Sequence, residues 1–77
     1  MTHNLKIDKQ FFSAILNNLK TFEIRYNDRN FQVGDFITLE EVTEDSEYTG
    51  RKVSGVITYM TDYQQQEGYI VFSFIKI

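Results

Sequence analysis

Apolar and polar residues alternate in several short segments of the chain, and this alternation predicts β-strands. Successive side chains of a strand point to opposite faces, so a period of two in hydrophobicity indicates a strand with one buried face. The pattern predicts strands at about residues 4–7, 20–26, 35–42, 52–61 and 69–77. The last segment is apolar on both faces, with Ile70 and Phe72 on one side and Val71 and Ile75 on the other, which predicts a central strand.

A helical period replaces this alternation between about residues 9 and 17. Asp8 stands where a helix N-cap is expected. Phe12 and Leu16 repeat at the spacing that places side chains in one apolar stripe on a helix. Asn17 and Asn18 predict the helix end, because asparagine tolerates the left-handed conformation found just past many helices.

The predicted order of elements is therefore strand, helix and four further strands. In so short a chain, such strands bury their apolar faces in a strongly curved, mostly antiparallel sheet that closes or nearly closes on itself. Gly55 lies inside the strand 52–61, and a glycine there marks a bulge, a sharp bend or the close approach of another backbone. We predict an α+β fold, a five-stranded pseudo-barrel with one N-terminal helix packed at its end.

The composition fits one small globular domain, residues 1–77, of which 42% is hydrophobic. Because the chain has no cysteine, disulfides, thiol nucleophiles and thiolate metal sites are excluded. His3 is the only histidine, and we expect it to pack or hydrogen-bond locally at the first strand; no metal and no cofactor is predicted. No segment has the roughly 20 apolar residues of a membrane span. The expected location is the cytoplasm.

The charge is distributed unevenly along the chain. A net charge of −3 argues against wrapping duplex DNA, which calls for a basic surface. Five of the acidic residues fall between residues 40 and 47, where there is no basic residue, so the rest of the chain is slightly positive. This distribution leaves room for a local cationic patch.

The densest polar pattern lies between residues 20 and 30. If Lys20 to Tyr26 forms a strand, Phe22 and Ile24 are expected in the core, with Thr21, Glu23 and Arg25 together on the opposite face. One interpretation is a solvated sheet face in which opposite charges alternate. The other is a small cleft that recognises an anion or a base edge, since arginine offers a planar fork of donors and lysine a mobile charge.

Six segments, in order, resemble the ASCH-like domains of the PUA-like superfamily, in particular a short bacterial and phage branch of uncharacterised function. The resemblance covers nearly the whole chain. Its segments are His3 with Leu5-Lys6-Ile7, then Lys20-Thr21-Phe22-Glu23-Ile24-Arg25, Asn27-Asp28-Arg29, Phe31-Gln32-Val33-Gly34-Asp35, Tyr48-Thr49-Gly50-Arg51 and Gly68-Tyr69-Ile70-Val71. Asn18-Leu19-Lys20 stands where that branch usually carries glycine and two lysines, so one cation is missing.

The resemblance implies a PUA-like pseudo-barrel whose relatives bind RNA or modified nucleobases in a cleft beside the strand 20–26. It implies a small RNA- or nucleotide-binding module, with a single-stranded or modified base as its ligand. A splayed base is read by stacking on an aromatic ring and by hydrogen bonds to its edge. The predicted binding residues are Lys20, Thr21, Glu23, Arg25, Tyr26 and Arg29.

Two alternatives remain open. Acetylcytidine amidohydrolases of the same fold are similar in this strand, and a deacylase here would use Lys20, Thr21 and Glu23. The threonine nucleophile of those enzymes aligns with Glu23, however, and Thr21 stands earlier, which favours a protein without catalysis. The second alternative is a protein-interaction module or a homodimer, because the last strand is apolar on both faces.

Overall fold

The chain folds as one five-stranded sheet curled into a half-barrel, with a short helix against it. The structure is a computed structural model that describes residues 1–77. In chain order the elements are β1 (Thr2–Asp8), α1 (Lys9–Leu16), β2 (Phe22–Tyr26), β3 (Phe36–Val42), β4 (Tyr48–Thr61) and β5 (Tyr69–Lys76). The predicted α+β architecture, with five strands and one helix, is confirmed.

The order of strands in the sheet is β1-β3-β4-β5-β2. The pairing of β1 with β3 is parallel, and the other pairings are antiparallel. Strand β5 lies between β4 and β2, so its predicted central position is confirmed. Strands β1 and β2 are the two edges of the sheet. Each is paired on one side only, and we call the gap between these edges the seam.

The core fills the inside of the curled sheet. Helix α1 contributes Phe12 and Ile15, each about 1% exposed. Phe31, from the segment between β2 and β3, packs against Phe72 of β5 with ring centroids 5.3 Å apart. Since a buried phenylalanine typically stabilises a fold by several kcal/mol relative to alanine, roughly 3 to 5, these rings are the main support of the half-barrel.

Both ends of α1 are close to the prediction, with one difference. Asn18 has a φ of 59°, the left-handed conformation expected just past the helix. Asp8 is the N-cap residue, but its carboxylate makes no capping hydrogen bond. The Asp8 carboxylate therefore stays available at the surface.

The expectation for Gly55 is confirmed as a close approach of two backbones. A Cβ atom at this position would lie 2.8 Å from the carbonyl oxygen of Ile75 on the neighbouring strand. Strand β4 also begins at Tyr48, four residues before the predicted start of this strand.

The prediction for the two faces of β2 is wrong. Phe22 and Ile24 are 41% and 54% exposed, whereas Glu23 is 5% exposed. In the ladder with β5, Glu23 lies opposite Phe72, whose side chain faces the inside of the half-barrel. Alternation along a strand defines two faces but not which one is buried. Here the inner face lies at the seam, where nearby cations neutralise the buried carboxylate.

Candidate functional site

A groove of about 560 Å³ follows the seam between β1 and β2. Its apolar and aromatic lining is Ile7, Phe11, Phe22, Ile24, Tyr26 and Tyr69, and its polar lining is Lys6, Asp8, Lys20, Glu23 and Arg25. The groove exists because the two edge strands do not pair with each other. Its size is within the usual range for sites that hold a small molecule or one nucleotide.

Glu23 is at the centre of the polar lining. Its side chain is 6% exposed. Lys20 Nζ donates to Oε2 of Glu23, and Arg25 Nε donates to Oε1 over 2.9 Å. We call these three residues the Glu23 cluster. With two cations on one carboxylate, the cluster carries a net positive charge, and its geometry is fixed by charge-assisted hydrogen bonds.

Arginine side chains, rather than backbone hydrogen bonds, connect the two edges of the seam. Arg25 Nη2 donates to the carbonyl oxygen of Lys6 over 2.6 Å. Further along, Arg29 Nη1 donates to the carbonyl oxygen of Asn4 over 3.0 Å. These bonds satisfy two carbonyl groups that an unpaired edge strand otherwise leaves to water. Arg25 therefore bonds both to Glu23 and, across the seam, to Lys6 of β1.

Lys20 is held between two aromatic rings. Its Nζ lies 5.4 Å from the ring centroid of Phe11 and 4.9 Å from that of Phe22, distances at which a cation is attracted by an aromatic face. The same Nζ donates to the carbonyl oxygen of Phe22 over 2.7 Å. The lysine is therefore fixed in place at the groove although it lies outside a strand.

Tyrosine rings form the aromatic wall at the other end of the groove. The rings of Tyr26 and Tyr69 meet edge to face, with centroids 5.5 Å apart. Tyr26 is 56% exposed, so part of its ring remains open to a ligand. Gly68 packs against this ring with a φ of 83°, and a Cβ atom there would lie 2.5 Å from Tyr26 Cε1. Glycine at this turn therefore leaves the space that the tyrosine ring occupies.

Of the predicted binding residues, four meet in the groove and two do not. Lys20, Glu23, Arg25 and Tyr26 line it. Thr21 lies in a separate cavity of about 240 Å³ beside Phe74 and Lys76. Arg29 lies outside the groove, bonded to β1.

Several groove residues have no local indication in the sequence. Lys6, Asp8, Phe11 and Tyr69 are distant along the chain from β2, and the topology brings them to it. The parallel pairing of β1 with β3, which places β1 opposite β2, leaves no short-range pattern in the sequence. Phe22 and Ile24, predicted for the core, line the groove instead, because the inner face of β2 carries Glu23.

Comparison with known proteins places the chain in a family. The profile of a domain family of unknown function, DUF3850, matches residues 2–74. The chain belongs to the DUF3850 family. An uncharacterised 12.9 kDa protein from the GpA 3′ region of Escherichia phage P2 is 38% identical over 60 residues. The match covers 78% of this chain and 54% of that protein, so the chain spans about half the length of this phage relative.

A second buried glutamate of the DUF3850 domain also holds an arginine. Glu41 is 7% exposed. Arg51 donates to it from Nε over 3.0 Å and from Nη2 over 3.2 Å, and Thr49 Oγ1 donates over 2.7 Å. The Arg51 hydrogen bonds, followed by that of Thr49, hold the pKa of the Glu41 carboxyl below its ordinary value. We call these three residues the Glu41 cluster; it lies between β3 and β4 where their register shifts, between Glu40 and Val42.

The histidine of the domain is structural. His3 Nε2 and Asp35 Oδ2 are 2.7 Å apart, and the His3 ring packs on Phe31 with centroids 4.7 Å apart. The expected packing and hydrogen bonding of His3 are confirmed, but its partners, Asp35 and Phe31, are distant along the chain rather than local. The hydrogen bond from His3, supported by the backbone N–H of Gln32, lowers the pKa of the Asp35 carboxyl despite its partial burial.

The structure contains neither a group of side chains suited to a metal ion nor a helix that could cross a membrane. No group of three or more His, Cys, Asp or Glu side chains is placed to hold a metal ion. The single helix is too short and too polar to cross a bilayer.

Proposed function

We propose that the domain binds one nucleotide of a single-stranded RNA in the groove at the seam, without catalysing a reaction. The observation that carries this proposal is the position of Lys20 and Arg25, both held on Glu23 within a groove that aromatic side chains line. Proteins read an unpaired base by stacking it on an aromatic ring and bonding its edge to fixed polar groups. The groove has exposed aromatic rings and fixed polar groups.

The aromatic side chains support stacking. Tyr26 and Phe22 are 56% and 41% exposed, although large apolar side chains are more often buried. Stacking of one base on an aromatic ring contributes roughly 1 to 3 kcal/mol and tolerates any base. Exposed rings beside a charged cluster are therefore suited to a ligand that is both flat and polar.

The charge at the groove supports binding of an anionic chain. Its lining has the cations Lys6, Lys20 and Arg25 and the carboxylates of Asp8 and Glu23, a net charge of +1, whereas the whole chain carries −3. Because each neutralised phosphate contributes about one unit to the slope of log affinity against log salt, we expect a shallow salt dependence. The domain is not expected to bind duplex DNA through its backbone.

The resemblance to ASCH-like domains adds independent support, since relatives in that superfamily are thought to bind RNA or modified nucleobases beside the equivalent strand. The DUF3850 family itself has no assigned function. The proposal for this chain therefore depends on the groove and on that resemblance together.

The deacylase alternative has less support from the geometry. Lys20 Nζ is engaged by the Glu23 carboxylate and the Phe22 carbonyl, so it is not poised to activate a hydroxyl. Thr21 lines a different cavity from Glu23. Lys20 lines both cavities, but its ammonium bonds Phe22 and Glu23 rather than Thr21, and a nucleophile needs its activating base within hydrogen-bond reach.

The test is a fluorescence-anisotropy titration of single-stranded RNA at low salt. Arg25→Ala removes the donor that fixes Glu23 and faces the groove. Arg51→Ala is the matched control, because Arg51 also bonds a buried glutamate but lies in the Glu41 cluster. We expect Arg25→Ala to weaken binding by at least about tenfold, the effect of losing a hydrogen bond to a charged group, and Arg51→Ala to leave it unchanged.

Two results would contradict the proposal. If wild-type protein binds no single-stranded RNA, the groove is not an RNA site. If Arg51→Ala weakens binding as much as Arg25→Ala while both variants remain folded by circular dichroism, binding occurs elsewhere or depends on general charge.

A further inference from the structure

The outward side of the sheet carries large apolar side chains that the rest of the chain leaves exposed. Side chains that lie opposite each other on neighbouring strands point to the same side of a sheet. Phe36, Val56 and Ile75 form one such row across β3, β4 and β5. Six large outward side chains are between 41% and 66% exposed: Phe22, Ile24, Tyr26, Phe36, Tyr59 and Ile75. We call these six residues the apolar face.

The apolar face is continuous across the sheet. In the row next to that of Ile75, Tyr59 and Phe22 lie on either side of Ser73, which is on β5 between them. The hydroxyl groups of Ser73 and Thr58 are 2.9 Å apart and bond each other. Covering a polar group costs least where it keeps a hydrogen-bond partner. The two hydroxyls therefore oppose burial of this surface less than two unpaired hydroxyls would.

Charge distinguishes the two halves of the outward side. The outward positions of β2 and β5 include no charged residue. On the half formed by β1 and β3, in contrast, Lys6 lies opposite Glu40, and Glu40 lies opposite Lys52 of β4. The buried cores of protein interfaces are depleted of charged residues and enriched in tyrosine and phenylalanine. The apolar face therefore has the composition of a protein interface.

We propose that the apolar face packs face to face on the same face of a second copy of this chain, in a twofold-symmetric dimer. Near the axis of such a dimer each residue meets its own counterpart, so a charged residue there would meet a like charge. The chain carries a net charge of −3, so two copies repel each other in general. This repulsion is smallest at a face without charge. Single-stranded RNA is a poorer occupant, because the apolar face has no cation for its phosphates.

The area of the apolar face is sufficient for a weak dimer. With roughly 150 to 250 Å² for a large aromatic side chain, the exposed fractions of the six residues leave on the order of 600 Å² per molecule. Two copies then bury about 1,200 Å², which is the lower end of the range for stable, specific interfaces. Because the sheet is curled, its outward side is convex, and this area is an upper value. We therefore expect a dissociation constant of about 1 to 100 μM.

The dimer and the groove share part of the apolar face. Phe22, Ile24 and Tyr26 also line the groove, whereas Tyr59 and Ile75 do not. A ligand that covers the shared side chains and a second copy of the chain therefore compete for them. At protein concentrations well below the dissociation constant of the dimer, the monomer predominates and the groove is open. The dimer itself does not depend on the proposed function.

The test is sedimentation velocity over about 1 to 300 μM protein, a range that includes the expected dissociation constant. With wild-type protein, we expect the mass to rise with concentration from 9.1 kDa to twice that value. Tyr59→Lys places a charge on the apolar face and should weaken the dimer at least about tenfold, as loss of a central aromatic residue often does. Tyr48→Lys is the matched control, because Tyr48 is also an exposed tyrosine of β4 but lies beside Lys6, and it should dimerise like wild type.

Both variants change the net charge by the same amount, so a difference between them reflects the position of the lysine. A wild-type mass of 9.1 kDa at the highest concentration overturns the dimer. Equal weakening by Tyr59→Lys and Tyr48→Lys, with both variants folded by circular dichroism, overturns the assignment to the apolar face. If Tyr59→Lys leaves the mass unchanged but weakens binding of single-stranded RNA, the face is an RNA surface, which also overturns this inference. Loss of the dimer with RNA binding intact leaves the proposed function standing.

Discussion

The Glu23 cluster and the Glu41 cluster have nearly the same chemistry in different surroundings. Each has a glutamate that is less than a tenth exposed, an arginine that donates to it and one further donor, Lys20 in the first and Thr49 in the second. The Glu41 cluster joins β3 to β4 at a register shift, and the two strands pair through their backbones on both sides of it. The Glu23 cluster lies at two edges that do not pair, and a groove follows it.

The two clusters differ in the pairing of the strands around them rather than in the residues of the ion pair. Arg51 of the Glu41 cluster covers the Phe12 ring, with its guanidinium carbon 5.0 Å from the centroid. At the seam, the same kind of pair replaces missing backbone hydrogen bonds and lines a groove. We therefore expect loss of the first cluster to affect stability and loss of the second to affect binding.

The largest expected effect comes from removing each glutamate. Glu23→Ala leaves Lys20 and Arg25 next to each other without their shared acceptor, so we expect RNA binding to be lost and unfolding to become easier by about 2 kcal/mol. Glu41→Ala should lower the melting temperature and leave affinity unchanged. Fluorescence anisotropy measures the RNA affinity of both variants, and thermal melting measures their stability. If Glu23→Ala and Glu41→Ala lose affinity equally, the two clusters do not differ in their effect on binding.

Arginine-to-lysine exchanges should have the next largest effect. Lysine keeps the charge but has no planar fork, so at position 25 it cannot hold Glu23, bond the Lys6 carbonyl and face the groove at once. We expect Arg25→Lys to weaken RNA binding by about fivefold, the loss of part of a charge-assisted contact. Arg51→Lys should bind like wild type. Wild-type affinity in Arg25→Lys would show that charge alone is sufficient at the seam.

Acid should act on stability through the carboxyls whose pKa values are lowered, Asp35 by His3 and Glu41 by Arg51. A carboxyl with a lowered pKa in the folded state stabilises the fold fully above its unfolded pKa and loses this effect as pH falls through the folded pKa. We expect the free energy of unfolding in urea to fall below about pH 4, where carboxyls ordinarily titrate. Glu41→Gln should reduce this fall; an unchanged acid dependence in that variant would contradict the assignment.

Arg29→Ala should have the smallest effect. Arg29 bonds the Asn4 carbonyl at the seam but lies outside the groove, and its side chain is 47% exposed. We expect affinity for RNA to change by less than about twofold, as is usual for an exposed polar contact. A tenfold loss would extend the binding surface along the seam toward the loop after β2.

Much of the fold could be predicted from local patterns. The period of hydrophobicity located the strands and the helix, Asn18 marked the helix end, and Gly55 marked a close backbone approach. These features depend on residues near each other in sequence. The central position of β5 was predicted from apolar residues on both of its faces, although its outer face, which carries Ile75, is exposed in the structure.

The site was predicted only in part, for a physical reason. The residue types and spacing of Lys20, Glu23 and Arg25 indicated a polar cluster, and the structure brings these side chains together. Their inward orientation depends on the unpaired edge of β1, which no pattern in β2 reveals. The contribution of Asp8 depends on that same edge, since its carboxylate forms no helix cap and stays free beside β2.

The arginines across the seam also have a consequence for solubility. An edge strand with exposed apolar side chains invites pairing with another molecule and, at high concentration, aggregation. Strand β2 has such side chains in Phe22, Ile24 and Tyr26. Cationic side chains along an edge oppose this pairing. We therefore expect Arg25 and Arg29 to reduce pairing of β2 with another molecule, whether or not a ligand is bound.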